Sequence, residues 1–308
     1  MRYATATGFR AALEERLLAT SRQSGKPVVL LRKLASFDRL LARCVAIAPN
    51  RWVLKGAVAL HYRLDMRLRA TKDLDLGRWG DANASHRDLS EACSTNLADH
   101  FHFVIADIDQ AGNNDAMRAI RYHLTAYVAG RTFEELAIDV GFGPPPAATP
   151  EYVSGPRLFE FAGILPTAVP ILDLNFHVAE KFHACHRMYA ERRTSSRFKD
   201  LVDIVLIAHK FPFEFNRLQR AIDATFLVRD GSPPAGSFPE PPQDWQQGYK
   251  RLASEVGIAT SLRDAFQVAS QFINPVVARD LADSCIWDPS RQAWASPVPA
   301  PGQANPLG

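Results

Sequence analysis

The sequence predicts an α+β protein in which a mixed sheet is built first and a mainly helical region follows. Three observations carry this. Residues 52–76 read as a short strand, a glycine turn, a helix and an acidic strand; residues 101–140 hold three strand-like runs separated by turns; helical periodicity then dominates from Phe176 to Asp283. The 308 residues are 47% hydrophobic and 22% charged, ordinary values for a globular chain long enough for one large domain or two.

The elements follow in order. Phe9 to Thr20 places Phe9, Ala12, Leu13 and Leu17 at helical spacing, and Val28 to Ala46 repeats the pattern with Leu31, Leu34, Leu41 and Val45. Gly25-Lys26-Pro27 separates these helices, and Pro49-Asn50 ends the second. Trp52-Val53-Leu54 is an apolar run that meets Lys55-Gly56, and a helix from Ala57 to Tyr62 comes next. A strand over Asp73 to Leu76 exits at Gly77, and Ser85 to Leu97 reads as a helix. The runs Phe101–Ile108, Ala119–Val128 and Phe133–Val140 are strands, with turns at Gly112-Asn113-Asn114 and Gly130-Arg131. Gly143-Pro144-Pro145-Pro146 marks a domain boundary. Beyond it, helices are expected at 176–189, 198–210, 215–227, 245–256 and 262–283, with Ser196 as an N-cap. This divides the chain into a helical lead-in (1–48), a catalytic domain (49–146), a mainly helical domain (147–285) and a disordered Pro/Ala-rich tail (286–308).

Chemistry concentrates on the acidic strand. Side chains alternate along a strand, so Asp73 and Asp75 project from one face while Leu74 and Leu76 project from the other. Like charges so close repel unless a cation neutralises them, and Mg²⁺ favours one or two carboxylates combined with phosphate oxygens. The Lys55-Gly56-Ala57 junction brings backbone N–H groups and a helix N-terminus within reach of a phosphate. Asp139, set in the apolar run Leu136–Val140, is the candidate third acid, because a buried carboxylate needs a cation or a metal. Asp107 and Asp109 form a competing pair that reads as a solvated strand end.

Basic residues cluster at Arg63, Arg67, Arg69 and Lys72, and again at Lys181, Arg187, Arg192, Arg193, Arg197 and Lys199, suited to a triphosphate or a polynucleotide backbone. Asp200 and Asp203 share a helix side, and an inter-helix salt bridge to Lys181 is the plain structural reading of that group. The net charge of +3 announces no nucleic-acid binder by itself. Cys44, Cys93, Cys185 and Cys285 are too scattered for a zinc set, and His177, His183, His186 and His209 lack metal spacing. No apolar run reaches the roughly 18–20 residues of a membrane span, and no signal pattern opens the chain, so a cytoplasmic protein is expected.

A glycine turn, a helix and an acidic strand follow the order of a polymerase-β-like nucleotidyltransferase palm. Together, Lys55-Gly56-x-x-x-Leu60, Arg69-x-Thr71-x-Asp73-Leu74-Asp75-Leu76, Ala179-Glu180-Lys181-x-His183-Ala184 and Ser196-Arg197-x-Lys199-Asp200-Leu201-x-Asp203 resemble the AbiEii/AbiGii nucleotidyltransferase family, which includes toxins of mycobacterial type. The resemblance spans about Phe9 to Lys210. It implies the toxin of a toxin–antitoxin or abortive-infection pair, with an NTP substrate, Mg²⁺ (or Mn²⁺) as cofactor, an antitoxin partner and, as in some relatives, the acceptor end of tRNA as target. By position it implies phosphate contact for Thr71, metal binding for Asp73 and Asp75, triphosphate binding for Lys181, and an acidic role, as base, for Asp203. Asp139 and Asp203 remain alternatives for that base, and Lys55, Gly56, Ala57, Arg69, Arg187, Arg197 and Lys199 complete the expected nucleotide contacts. One departure is Ala57, where the family carries a second Gly or Ser; Ala lacks a hydroxyl and resists positive φ. The rival readings are a degenerate member that binds nucleotide or protein without turnover, and a metal-dependent phosphodiesterase.

Overall fold

The structure, a computed structural model, describes residues 1–64, 71–110, 119–143, 149–191, 197–258 and 260–296. It divides into two compact units, Met1–Asp173 and Leu174–Gly308.

The first unit opens with α1 (Ala6–Ser24) and α2 (Val28–Ile47). Thr5 caps α1, its hydroxyl accepting from the Gly8 N–H, and Gly25 closes it in the left-handed region. Then come β1 (Trp52–Leu54), α3 (Gly56–Leu64), β2 (Asp73–Trp79), α4 (Ala82–Ser94), β3 (Phe101–Gln110), β4 (Ala119–Val128), β5 (Arg131–Gly143), β6 (Glu151–Ser154) and β7 (Ala168–Ile171). Among the described residues these strands form one mixed sheet in the order β3-β4-β5-β2-β1-β7-β6. β2 runs parallel to β5 and antiparallel to β1, while β1 runs parallel to β7 through Leu54 and Ile171.

Three local differences from the sequence expectation have clear causes. β2 continues through Gly77 to Trp79 because Gly77 stays paired with both Val53 and Gly141. α4 starts at Ala82 because the Asp81 carboxylate accepts the Ala84 N–H at 2.7 Å. The Gly143–Pro146 break falls inside the first unit, since β7 returns to pair with β1 after it; residues 144–146 themselves lie outside the described residues.

Leu74, Leu76, Ile138, Val140, Tyr122 and Leu124 form the core side of the sheet, with Leu34, Phe37, Leu41 and Leu89 in the same cluster. α2 also buries charge. Arg43, fully buried, donates to Asp99 at 2.7 and 2.8 Å and to the carbonyls of Thr95 and Phe101. Asp38 accepts from Arg39 at 2.6 and 2.9 Å and from the Tyr62 hydroxyl at 3.2 Å. Burial pushes the Asp38 carboxyl above its usual range against the lowering pull of Arg39. Tyr62 belongs to α3, so this network fixes one end of that helix against α2. Arg63, the next residue, pairs with Glu151 and donates to the Leu172 carbonyl at 2.8 Å. α3 is thereby tied to the β6–β7 edge as well.

The second unit comprises α5 (Leu174–Glu191), α6 (Phe198–Lys210), β8 (Phe213–Glu214), α7 (Phe215–Asp230), α8 (Trp245–Glu255), α9 (Leu262–Ala278), β9 (Ile286–Asp288) and β10 (Ala293–Ala295). The last two strands pair with each other and β9 with β8. Phe182, Phe226, Phe272 and Trp287 anchor its interior, and the Trp287 indole donates to the Ala208 carbonyl at 2.7 Å. α9 stops at Ala278 rather than near Asp283 because Arg279 takes up a left-handed conformation one turn after Pro275. Residues 286–296, expected as part of a disordered tail, hold β9 and β10, while 297–308 lie outside the described residues. Ser196, the expected N-cap of α6, also lies outside them. No helix among the described residues is long and apolar enough to cross a membrane.

Candidate active site

The first unit gathers its polar residues where β1 hands over to α3 beside β2. Apolar Trp52–Leu54 makes a buried strand, and Gly56 turns the chain into the helix with φ of +62°. Leucine-rich alternation on the neighbouring β2 buries Leu74 and Leu76 and leaves Asp73 and Asp75 half-buried on the opposite face. The Lys55 N–H donates to the Asp75 carbonyl at 2.9 Å and locks the turn to the acidic strand. A Cβ on Gly56 would lie 2.7 Å from Asp75 Cγ and 3.0 Å from Asp75 Cβ, with Oδ2 closer still. Only glycine can occupy this position with the Asp75 carboxylate where it is. The Lys55 stem passes over Gly77, where a Cβ would stand 3.0 Å from Lys55 Cε.

Ala57 is buried within α3 and is not among the residues with positive φ. The conformational demand rests on Gly56, so the concern that Ala57 restricts the turn does not hold. The Thr71 hydroxyl, expected toward phosphate, donates to the Asp73 carbonyl at 3.1 Å. Lys72 is exposed at the start of β2, and Arg69 lies outside the described residues.

Asp139 stands opposite Asp75 in the parallel β2–β5 register, so the two carboxylates share a face. It is not the buried acid that its apolar neighbours suggest: its side chain is 31% exposed and is gripped by Arg121 of β4, whose Nε and Nη2 donate to Oδ1 and Oδ2 at 2.7 and 2.6 Å. Arg121 Nη2 also lies 3.7 Å from Asp73 Oδ2. These hydrogen bonds from Arg121 to Asp139 hold the guanidinium proton more firmly than usual. Arg121 was not singled out from the sequence. Its signal is the alternation of β4, which sets it across from Asp139 only once the strand register is known. The competing Asp107 and Asp109 lie on the edge strand β3, where Asp109 pairs with His123 at 2.8 Å.

In the second unit, Lys181 of α5 contacts Asp200 and Asp203 of α6 at 2.7 and 3.0 Å. Arg197 reaches Asp200 at 3.4 Å, and Lys199 is exposed. Asp203 is almost wholly buried. The inter-helix salt bridge is therefore present. Arg187 lies on α5, with its side chain outside the described residues. His183 contacts Asp230 at 3.0 Å.

Among the described residues no group of three or more His, Cys, Asp or Glu is arranged to hold a metal ion. Asp73 and Asp75 nevertheless suit a hard divalent cation: they are two oxygen donors on one face, partly open, next to a turn that could receive the phosphates completing the shell.

A sequence profile for the nucleotidyl transferase AbiEii toxin of type IV toxin–antitoxin systems matches residues 39–271. Among solved structures, the chain is similar to MenT4, a nucleotidyltransferase toxin from Mycobacterium tuberculosis H37Rv, with 16% identity and a TM-score of 0.54 over 90% of this chain and 92% of that one. It is also similar to JHP933 from Helicobacter pylori, with 15% identity and a TM-score of 0.42 over 80% and 92%. The first of these likenesses shows the fold. A search of curated proteins by sequence finds no match.

Proposed function

Since the chain belongs to the AbiEii family of nucleotidyl transferase toxins, matched over roughly three quarters of its length, we propose that it is a Mg²⁺-dependent enzyme transferring a nucleotide from an NTP to the 3′ end of tRNA. The observation that carries this reading is the packing of the Gly56 backbone against the Asp75 carboxylate, which joins a helix N-terminus directly to a pair of metal-type carboxylates.

Asp73 and Asp75 would hold the metal. When bound, Mg²⁺ supplies positive charge to the triphosphate and to the attacking hydroxyl. Backbone N–H groups at the start of α3 bind phosphate oxygens, and the turn's fixed conformation avoids reorganisation on binding. Asp139 and Asp203 are each held in an ion pair, by Arg121 and Lys181. The proposal therefore rests on positioning and charge neutralisation, as is usual for phosphoryl transfer, more than on a strong base. Lys181, Arg197 and Lys199 are proposed nucleotide contacts from the family pattern. The same membership implies a cognate antitoxin, and a cytoplasmic location is proposed with it.

The test incubates purified protein with Mg²⁺, each labelled NTP and total RNA, beside Asp75→Ala and Lys181→Ala. Label entering a tRNA-sized band only with the unaltered protein supports the proposal. Equal labelling by all three sinks the site assignment; release of mononucleotides from RNA would favour a phosphodiesterase, and nucleotide-dependent stabilisation without transfer a binding protein.

A further inference from the structure

Three carboxylates, Asp73, Asp75 and Asp139, share one face of β2 and β5, the arrangement from which a pair of divalent ions could be shared. Arg121 changes what that face can bind. Both Asp139 oxygens receive short charge-assisted hydrogen bonds from its guanidinium, and the same group lies 3.7 Å from Asp73. A second divalent ion bridging Asp139 to Asp73 would have to displace this contact and then sit beside the displaced cation.

We infer that Arg121 is a built-in second cation: it commits Asp139 to an ion pair, so that the acidic face takes a single divalent ion, held by Asp73 and Asp75. The inference rests on the nucleotidyltransferase reading and concerns how that site is neutralised. Arg121 acts here as a positioning residue, with no contact to substrate required of it.

Equilibrium dialysis with Mn²⁺ and a non-hydrolysable NTP analogue, counting both metal and nucleotide retained per chain, tests it without relying on turnover. The wild-type protein should retain one Mn²⁺ per bound nucleotide, Arg121→Gln should retain two, and Asp139→Asn should retain one, because the residue lost is no ligand. Two ions in the wild-type protein, an unchanged ratio in Arg121→Gln, or loss of the ion in Asp139→Asn would each overturn the inference. If Arg121→Gln does not fold, judged by circular dichroism, the other two proteins decide. Asp75→Ala separates the two levels: if it abolishes binding while the wild-type protein holds two ions, the site stands and only the role of Arg121 falls. If Asp75→Ala binds like the wild type, both fall.

Discussion

Replacing Gly56 by Ala adds one carbon at the most constrained point of the candidate site. Two effects follow, and they can be separated. The backbone φ of +62° is a left-handed conformation that costs an L-residue about 1–2 kcal/mol. For a unit of the size of Met1–Asp173, at about 2–4 °C per kcal/mol, the midpoint should fall by roughly 2–8 °C. The new Cβ would also stand 2.7 Å from Asp75 Cγ, where carbon atoms prefer about 3.5–4.0 Å. The carboxylate must therefore shift by on the order of 1 Å, and a displacement of that size typically lowers a reaction rate by about 10²-fold. The assay is label transfer to RNA measured well below the midpoint of Gly56→Ala, with Mn²⁺ retention followed alongside. Activity should fall far more than the folded fraction does, and metal retention should weaken with it. A variant that melts earlier yet transfers label at the wild-type rate would show that Asp75 has no part in the chemistry.

Lys181→Ala leaves Asp200 and Asp203 without their shared cation and should destabilise the protein by about 3–5 kcal/mol, toward the lower end because Arg197 also reaches Asp200. Lys181→Arg should restore most of that stability; if it restores stability but not transfer, Lys181 has a role beyond the salt bridge, whereas recovery of both makes it structural. Asp99→Ala strands the fully buried Arg43 and should cost roughly 3–5 kcal/mol in urea unfolding, with little change at the acidic face once the protein is folded; a cost below that of an ordinary surface substitution would refute the network's importance. Burial pushes the Cys93 thiol up from 9.0 to about 12, and Cys44 is raised as well. Between these values the unfolded chain has lost a proton that the native chain keeps, so stability should be intact below about pH 9 and fall above it by about 1.4 kcal/mol per pH unit for each thiol. Cys93→Ala should make that decline shallower, and an identical decline would assign it to other groups.

The helices could be read in the sequence because apolar residues recur at helical spacing from Phe9 through Ile273. β6 and β7 could not: each spans four residues, and β7 carries Pro170, which lacks an N–H and counts against a strand. β7 pairs with β1 and β6 with β7, and this is what carries the first unit beyond the proline-rich break. At the candidate site, Gly56 and the Asp73/Asp75 face were visible because turn chemistry and strand alternation are local. The grip of Arg121 on Asp139 was not, because it joins positions 18 apart through a register that only the folded sheet defines. The same limit explains why an apolar flank around Asp139 suggested burial. Charged residues inside α2 were hidden for a related reason: Arg43 finds its partner 56 residues away.

The short central strand β1 has a consequence for when the protein becomes active. Leu54 is flanked by Leu76 on one side and by Ile171 on the other, and the Leu172 N–H closes the second seam onto the Leu54 carbonyl at 3.0 Å. A ribosome adding about 5–20 residues per second reaches Ile171 several seconds or more after Leu54. Through that interval the turn at Gly56 has only one of its two lateral supports, and closing so long a loop is slow by comparison with local contacts. The turn at Gly56 would thus gain its second lateral support only once Ile171 has been made, so the candidate site stays incomplete through that stretch of synthesis.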